Sequence, residues 1–112
     1  MRYWTVDEAR AYLPRLRHLV DVVRSGTTLA AVSRSNGHGE PPDDDPRVAL
    51  GELEAGDIIV RDPASGLVDF HALGADGVVY LLCYRLDEDD LAWWHLPEDG
   101  YPGRRPLPRD PA

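Results

Sequence analysis

The chain has 112 residues and a formal net charge of −8, from 12 basic against 20 acidic side chains, with 43% hydrophobic and 29% charged residues. That length fits one domain over residues 1–112, that composition an ordinary globular chain, and that charge lacks the concentrated positive field nucleic-acid binding requires. No apolar run approaches the ~20 residues that cross a bilayer, the opening residues Met1 to Glu8 contain no apolar signal region, and the lone Cys83 leaves no internal disulfide or multi-cysteine zinc site, so the expectation is a cytoplasmic protein away from membranes.

The first helix is announced by Thr5-Val6-Asp7-Glu8, a capping box in which Thr5 and Glu8 each satisfy the other's backbone amide. Apolar residues then recur with a helical period at Val6, Ala9, Leu13, Leu16, Val20 and Val23. Pro14 interrupts the pattern and predicts a kink, or two helical pieces meeting at Leu13–Pro14. Arg10, Arg17 and Arg24 repeat every seven residues and form one basic stripe, either a solvated face or a surface for docking a partner. Every basic residue is Arg, which a coding bias explains more simply than anion recognition does. Residues 1–37 hold six Arg and three acids, a balance of +3, whereas the remainder holds six Arg and seventeen acids, a balance of −11. A basic helical segment on an acidic body can pair with a second copy or with an acidic surface.

The helix is expected over residues 1–32. Residues 33–45 contain no apolar side chain and read as a flexible loop. Asp45-Pro46 restarts a short helix over 46–55, closed by Gly56. The period then becomes two. Strands are expected at Ile58–Arg61, Leu67–Phe70, Val78–Arg85 and Leu91–Leu96, separated by turns at Asp62–Gly66, Ala75–Gly77 and Asp87–Asp90. The sum is an α+β fold: a helical hairpin, its first helix long and proline-kinked, packed on a four-stranded antiparallel meander over 58–96. Residues 97–112 carry five of the ten prolines and read as an extended tail that wraps the body or stays mobile.

Four motifs together resemble a known bacterial family. They are Thr5-x-x-Glu8-Ala9 with Leu13-Pro14, Gly66-Leu67-Val68-Asp69-Phe70, Leu82-Cys83-Tyr84-Arg85-Leu86, and Trp94-His95 followed by Gly100-Tyr101-Pro102-Gly103-Arg104-Arg105-Pro106-Leu107. In this order they look like the family catalogued as domain of unknown function 2203. The resemblance implies a small cytosolic protein, a helical hairpin with a small β unit, and no established activity. The chain departs from that pattern in a shortened hairpin, the loop 33–45 replacing most of it, and in Tyr84 where relatives tend to place Trp.

Chemistry-bearing residues concentrate in those motifs: Asp69, Tyr84, Arg85, Trp94, His95, Tyr101 and Arg104. One reading makes a ligand pocket, with Arg85 and Arg104 clamping a carboxylate or phosphate, Trp94 or Tyr101 stacking on it, and His95 as general acid or base oriented by Asp69. The structural reading makes an Asp69–Arg85 ion pair, a satisfied His95, and Arg104 as a clip on the tail. The register of the last hairpin decides part of this. A tip of residues 87–90 sets Leu82 opposite His95 and sends Arg85 to the other face. A tip one residue different gathers Arg85, Cys83, Trp93 and His95.

His18, His38, His71 and His95 have no paired ligand spacing, so no metal or other cofactor is expected; a constellation of His71, Asp69 and His95 is the one arrangement to watch. The acidic runs 43–45 and 87–90 read as solvated, and Cys83 as a small buried hydrophobe. The leading expectation is a non-enzymatic accessory or protein-binding module whose partner is another protein or a second copy. The alternative is a small-molecule binder or enzyme using the Arg/His/Asp cluster.

Overall fold

A computed structural model describes residues 1–33 and 45–108. The loop expected at 33–45 lies, apart from its two end residues, outside the described residues, as does the end of the tail. The elements are α1 (Val6–Ser33), α2 (Pro46–Ala55), β1 (Ile58–Asp62), β2 (Leu67–Leu73), β3 (Val79–Tyr84), β4 (Trp93–His95), a 3₁₀ turn (Tyr101–Gly103) and β5 (Arg105–Pro106).

The capping box forms: the Glu8 amide donates to Thr5 Oγ1 and the Thr5 amide to Glu8 Oε1, both at 3.0 Å. α1 runs unbroken through Pro14, so the expected division into two pieces does not occur; proline's missing N–H removes one hydrogen bond there. α2 starts on Asp45, whose carboxylate accepts from the Arg47 amide, with Pro46 in the first turn where no N–H is needed. The two helices pack together. Both bury one face against the sheet, α1 through Ala9, Leu13, Leu16, Leu19, Val20 and Val23, α2 through Ala49 and Leu53. Trp4 closes the open end: its ring meets Phe70 edge-on, and its Nε1 donates to the Gly56 carbonyl at 2.9 Å. Among the described residues no helix is long and apolar enough to cross a membrane.

The sheet is an antiparallel meander in the order β1-β2-β3-β4-β5. It has five strands where the sequence predicts four. β5 is two residues long and includes Pro106; proline lacks a ladder donor and is tolerated only at an edge, so no local pattern marks this strand. It pairs Trp93 with Pro106 and Trp94 with Arg105, and the Leu107 amide donates to the Ala92 carbonyl at 2.9 Å. The described part of the tail therefore wraps the body.

Alternation along the strands sends Val68, Phe70, Leu82, Tyr84 and Trp94 to the helices. Asp69, Leu81, Cys83 and His95 point to the opposite face and are nonetheless buried, each at most 2% exposed. Tail residues cross that face, Pro97, Gly100 and Tyr101 bordering a hollow lined also by Asp69, Cys83 and His95. A small second interior, partly polar, thus lies behind the sheet.

Candidate functional site

The last hairpin adopts the register that sets Leu81 opposite His95 and Cys83 opposite Trp93. His95 therefore shares a face with Cys83, and with Asp69, which stands directly across from Cys83 on β2. Asp69 Oδ1 is 3.0 Å from His95 Nε2. Arg61 Nε donates to Asp69 Oδ2 at 2.8 Å. Arg61 owes its position to a bulge, since the register shifts between Val60 and Asp62, and a bulge re-aims the side chain of the extra residue.

The ring of His95 is oriented from both sides. Its Nδ1 lies 2.8 Å from the Leu96 carbonyl, which only accepts, so Nδ1 donates there. Its Nε2 faces a carboxylate oxygen, so one proton lies between Asp69 and His95. The thiol of Cys83 completes the group: donor atoms of Asp69, Cys83 and His95 lie within 4.8 Å of one another. Burial, helped by the Asp69 charge, pushes the Cys83 thiol up to about 12. An activated nucleophile needs the reverse, a lowered thiol pKa beside a free base. Next to the cluster is a cavity of about 220 Å³, bordered also by Arg61, Leu67 and Tyr101.

The remaining sequence candidates do not converge on this cavity. Arg85 donates to Asp87 Oδ1 at 2.6 Å and to the Tyr101 hydroxyl at 3.1 Å, at the surface. Arg104 Nη2 is 2.6 and 2.8 Å from the two oxygens of Glu88, with both side chains largely buried. The Arg104 guanidinium also lies 4.9 Å from the Trp93 ring centre and 4.8 Å from that of Tyr101, a double cation–π arrangement. Its Nε is buried without a hydrogen-bond partner among the described residues. Trp94 is on the helix-facing side, edge-on to Tyr80, so it does not share a face with His95. His71 binds the Asp57 carbonyl through Nδ1 and stands outside the Asp69–Cys83–His95 group.

Sequence reasoning missed two participants: Arg61 depends on a bulge without a sequence signature, and Glu88 is submerged in an acidic run expected to be solvated. Cys83 enters through the register of the last hairpin, the one-residue alternative to the 87–90 tip that groups it with His95.

The basic stripe of α1 lies along the β3–β4 connection. Arg10 donates to the Leu91 carbonyl at 3.0 and 3.3 Å. Arg17 donates to the Tyr84 hydroxyl and the Asp89 carbonyl, both at 2.7 Å, and the Tyr84 hydroxyl in turn donates to the Glu88 carbonyl. Arg24 pairs with Asp21 one turn back. Beside the stripe is a wide groove of about 780 Å³ bordered by Arg17, His18, Asp21 and Arg24 on one side and Arg85, Leu86 and Asp87 on the other.

A family model described as "Uncharacterized conserved protein (DUF2203)" matches residues 43–107. The match takes in α2, every strand, the buried cluster and the Glu88–Arg104 clip, and leaves α1 outside. No curated protein and no solved structure matches the chain.

Proposed function

The chain belongs to the uncharacterized conserved family DUF2203, and because that description specifies no reaction, we propose from the protein's own geometry that it is a non-enzymatic cytoplasmic accessory module that docks an acidic segment of a partner protein. The observation that carries this reading is the groove beside α1. Arg17, Arg24 and Arg85 line it together with Asp21 and Asp87, a local excess of positive charge, in a chain whose overall charge is −8. A cationic groove on an acidic protein attracts acidic partners while the rest of the surface repels them, which sets orientation as well as association rate. The unpaired Cys83 suits a reducing compartment.

The alternative, a carboxylate or phosphate binder built on Arg85, His95 and Arg104, draws less support, because Arg104 is closed over by Glu88 and neither arginine borders the cavity beside His95. Fluorescence anisotropy with a labelled Asp/Glu-rich peptide tests the docking reading. The wild-type chain binds it with an affinity that falls as salt rises, and R24E/R85E abolishes binding while leaving circular dichroism unchanged. Equal binding by wild type and the folded double variant, or none by wild type at low salt, overturns it.

A further inference from the structure

The buried group behind the sheet is independent of that groove. We propose that Asp69, Cys83 and His95 are the protein ligands of a single thiophilic divalent cation of the zinc type, with a fourth coordination position opening on the adjoining 220 Å³ cavity.

Topology creates the site. Asp69 and Cys83 are direct cross-strand partners on β2 and β3, and His95 is paired with Leu81, one diagonal step from Cys83. Residues related in this way project side by side from one face of a sheet. Their donor atoms already lie within 4.8 Å of one another. In tetrahedral zinc, with bonds of about 2.3 Å to sulfur and about 2.0–2.1 Å to nitrogen and oxygen, ligand atoms are separated by roughly 3.3–3.6 Å. Closing the site therefore asks side-chain shifts on the order of 1 Å and no backbone rearrangement.

The hydrogen bonds around the cluster match what a metal site requires. His95 Nδ1 donates to the Leu96 carbonyl, which fixes the ring and leaves the Nε2 lone pair for a metal, the arrangement that outer-shell acceptors impose on ligating histidines. Arg61 binds Asp69 Oδ2, so Oδ1, the oxygen turned to His95, is the one available to a cation. The Arg61–Asp69–His95 chain by itself would satisfy a structural role. It does not call for a thiol among the same donors or for a cavity beside them.

The donor set selects the cation. Sulfur, nitrogen and a single carboxylate suit zinc, cobalt and their neighbours, whereas magnesium and calcium demand oxygen-rich shells. Thiolate and carboxylate together supply two negative charges to a dication.

The test uses the full chain after chelator treatment, with cobalt(II) and zinc(II) as probes. One equivalent of cobalt produces visible ligand-field bands and a near-ultraviolet thiolate-to-cobalt charge-transfer band, and zinc bleaches both. C83S loses the charge-transfer band, and H95Q weakens zinc binding by more than about tenfold. No charge-transfer band in the wild type, or its persistence in folded C83S, overturns the proposal. Should C83S fail to fold, zinc-edge X-ray absorption on the wild-type protein decides. One sulfur at about 2.3 Å supports the site, and a shell of only nitrogen and oxygen overturns it.

Discussion

Asp69 and His95, on strands separated by β3, are joined by a 3.0 Å contact between Oδ1 and Nε2, and neither side chain is more than 2% exposed. A buried polar pair of this kind adds little when intact, because desolvation offsets the attraction, but removing one member strands the other. D69A is therefore expected to destabilise the metal-free protein by about 3–5 kcal/mol. R61A removes a partner of the same carboxylate from a side chain that is 45% exposed, and is expected to cost under about 1 kcal/mol. Urea unfolding at neutral pH measures both. Equal costs would show that Arg61, rather than His95, is the partner that matters.

The Glu88–Arg104 clip invites a second comparison. Arg104 donates to both oxygens of Glu88 through one nitrogen and lies against the Trp93 and Tyr101 rings. Lysine keeps the charge but loses the planar group that stacks on the rings. R104K is expected to destabilise by about 1–3 kcal/mol and to speed tryptic cleavage of the bond between residue 104 and Arg105 by loosening β5. Unchanged cleavage with unchanged stability would mean that the backbone pairing of β5 alone holds the tail.

How far the sequence discloses this architecture varies with the range of the interaction responsible. The start of α1, α2 with its Asp45-Pro46 entry, and the first four strands follow from capping, periodicity and turn residues, all signals within a few positions of one another. β5 was not legible, because two residues with a proline carry no strand pattern and owe their place to Trp93 and Trp94. Asp69 and His95 were legible as candidates. Their meeting with Cys83 was not, since a one-residue slip of the β3–β4 hairpin would have sent His95 to the helices. Arg104 as a tail clip was among the readings weighed, but its acceptor Glu88 is hidden in a run of four acids whose members are chemically alike and structurally different.

Acid stability probes the helical hairpin. Arg15 donates to both Glu52 oxygens, at 2.7 and 3.1 Å, and the Tyr12 hydroxyl donates to the same carboxylate. The hydrogen bonds from Arg15, then Tyr12, lower the Glu52 carboxyl to about 2, against 4.5 without such partners. A carboxyl with a lowered folded-state pKa contributes stability above its unfolded value, so this contribution is complete above about pH 4.5 and lost as pH falls towards 2. Both side chains are more than a third exposed, so solvent screening limits the effect to about 1 kcal/mol or less. E52Q should flatten the pH dependence of the thermal midpoint between pH 4.5 and 2 relative to wild type. Parallel curves would show that other carboxylates govern acid unfolding.

The position of Asp69 depends in turn on the turn that launches β2. Gly66 ends that turn with φ of +72°, its amide donating to the Asp62 carbonyl at 2.9 Å. A Cβ there would overlap the Leu86 side chain, with Leu86 Cδ1 2.6 Å away. Two costs therefore combine in G66A: a left-handed backbone for a residue with a Cβ, about 1–2 kcal/mol, and overpacking, about 1–3 kcal/mol. The expected total is about 2–5 kcal/mol. A double-mutant cycle separates them, because L86A removes the two nearest obstructing atoms, Cγ and Cδ1, and leaves the backbone strain. G66A/L86A should be less destabilised than the sum of the single changes by about 1–2 kcal/mol, read from urea unfolding of all four proteins. Strict additivity would mean that Leu86 swings aside without cost and that the left-handed φ alone requires glycine. Loss of the near-ultraviolet thiolate band of the cobalt-loaded protein in G66A, with its return in the double variant, would tie this turn to the placement of Asp69 two strand residues beyond Leu67.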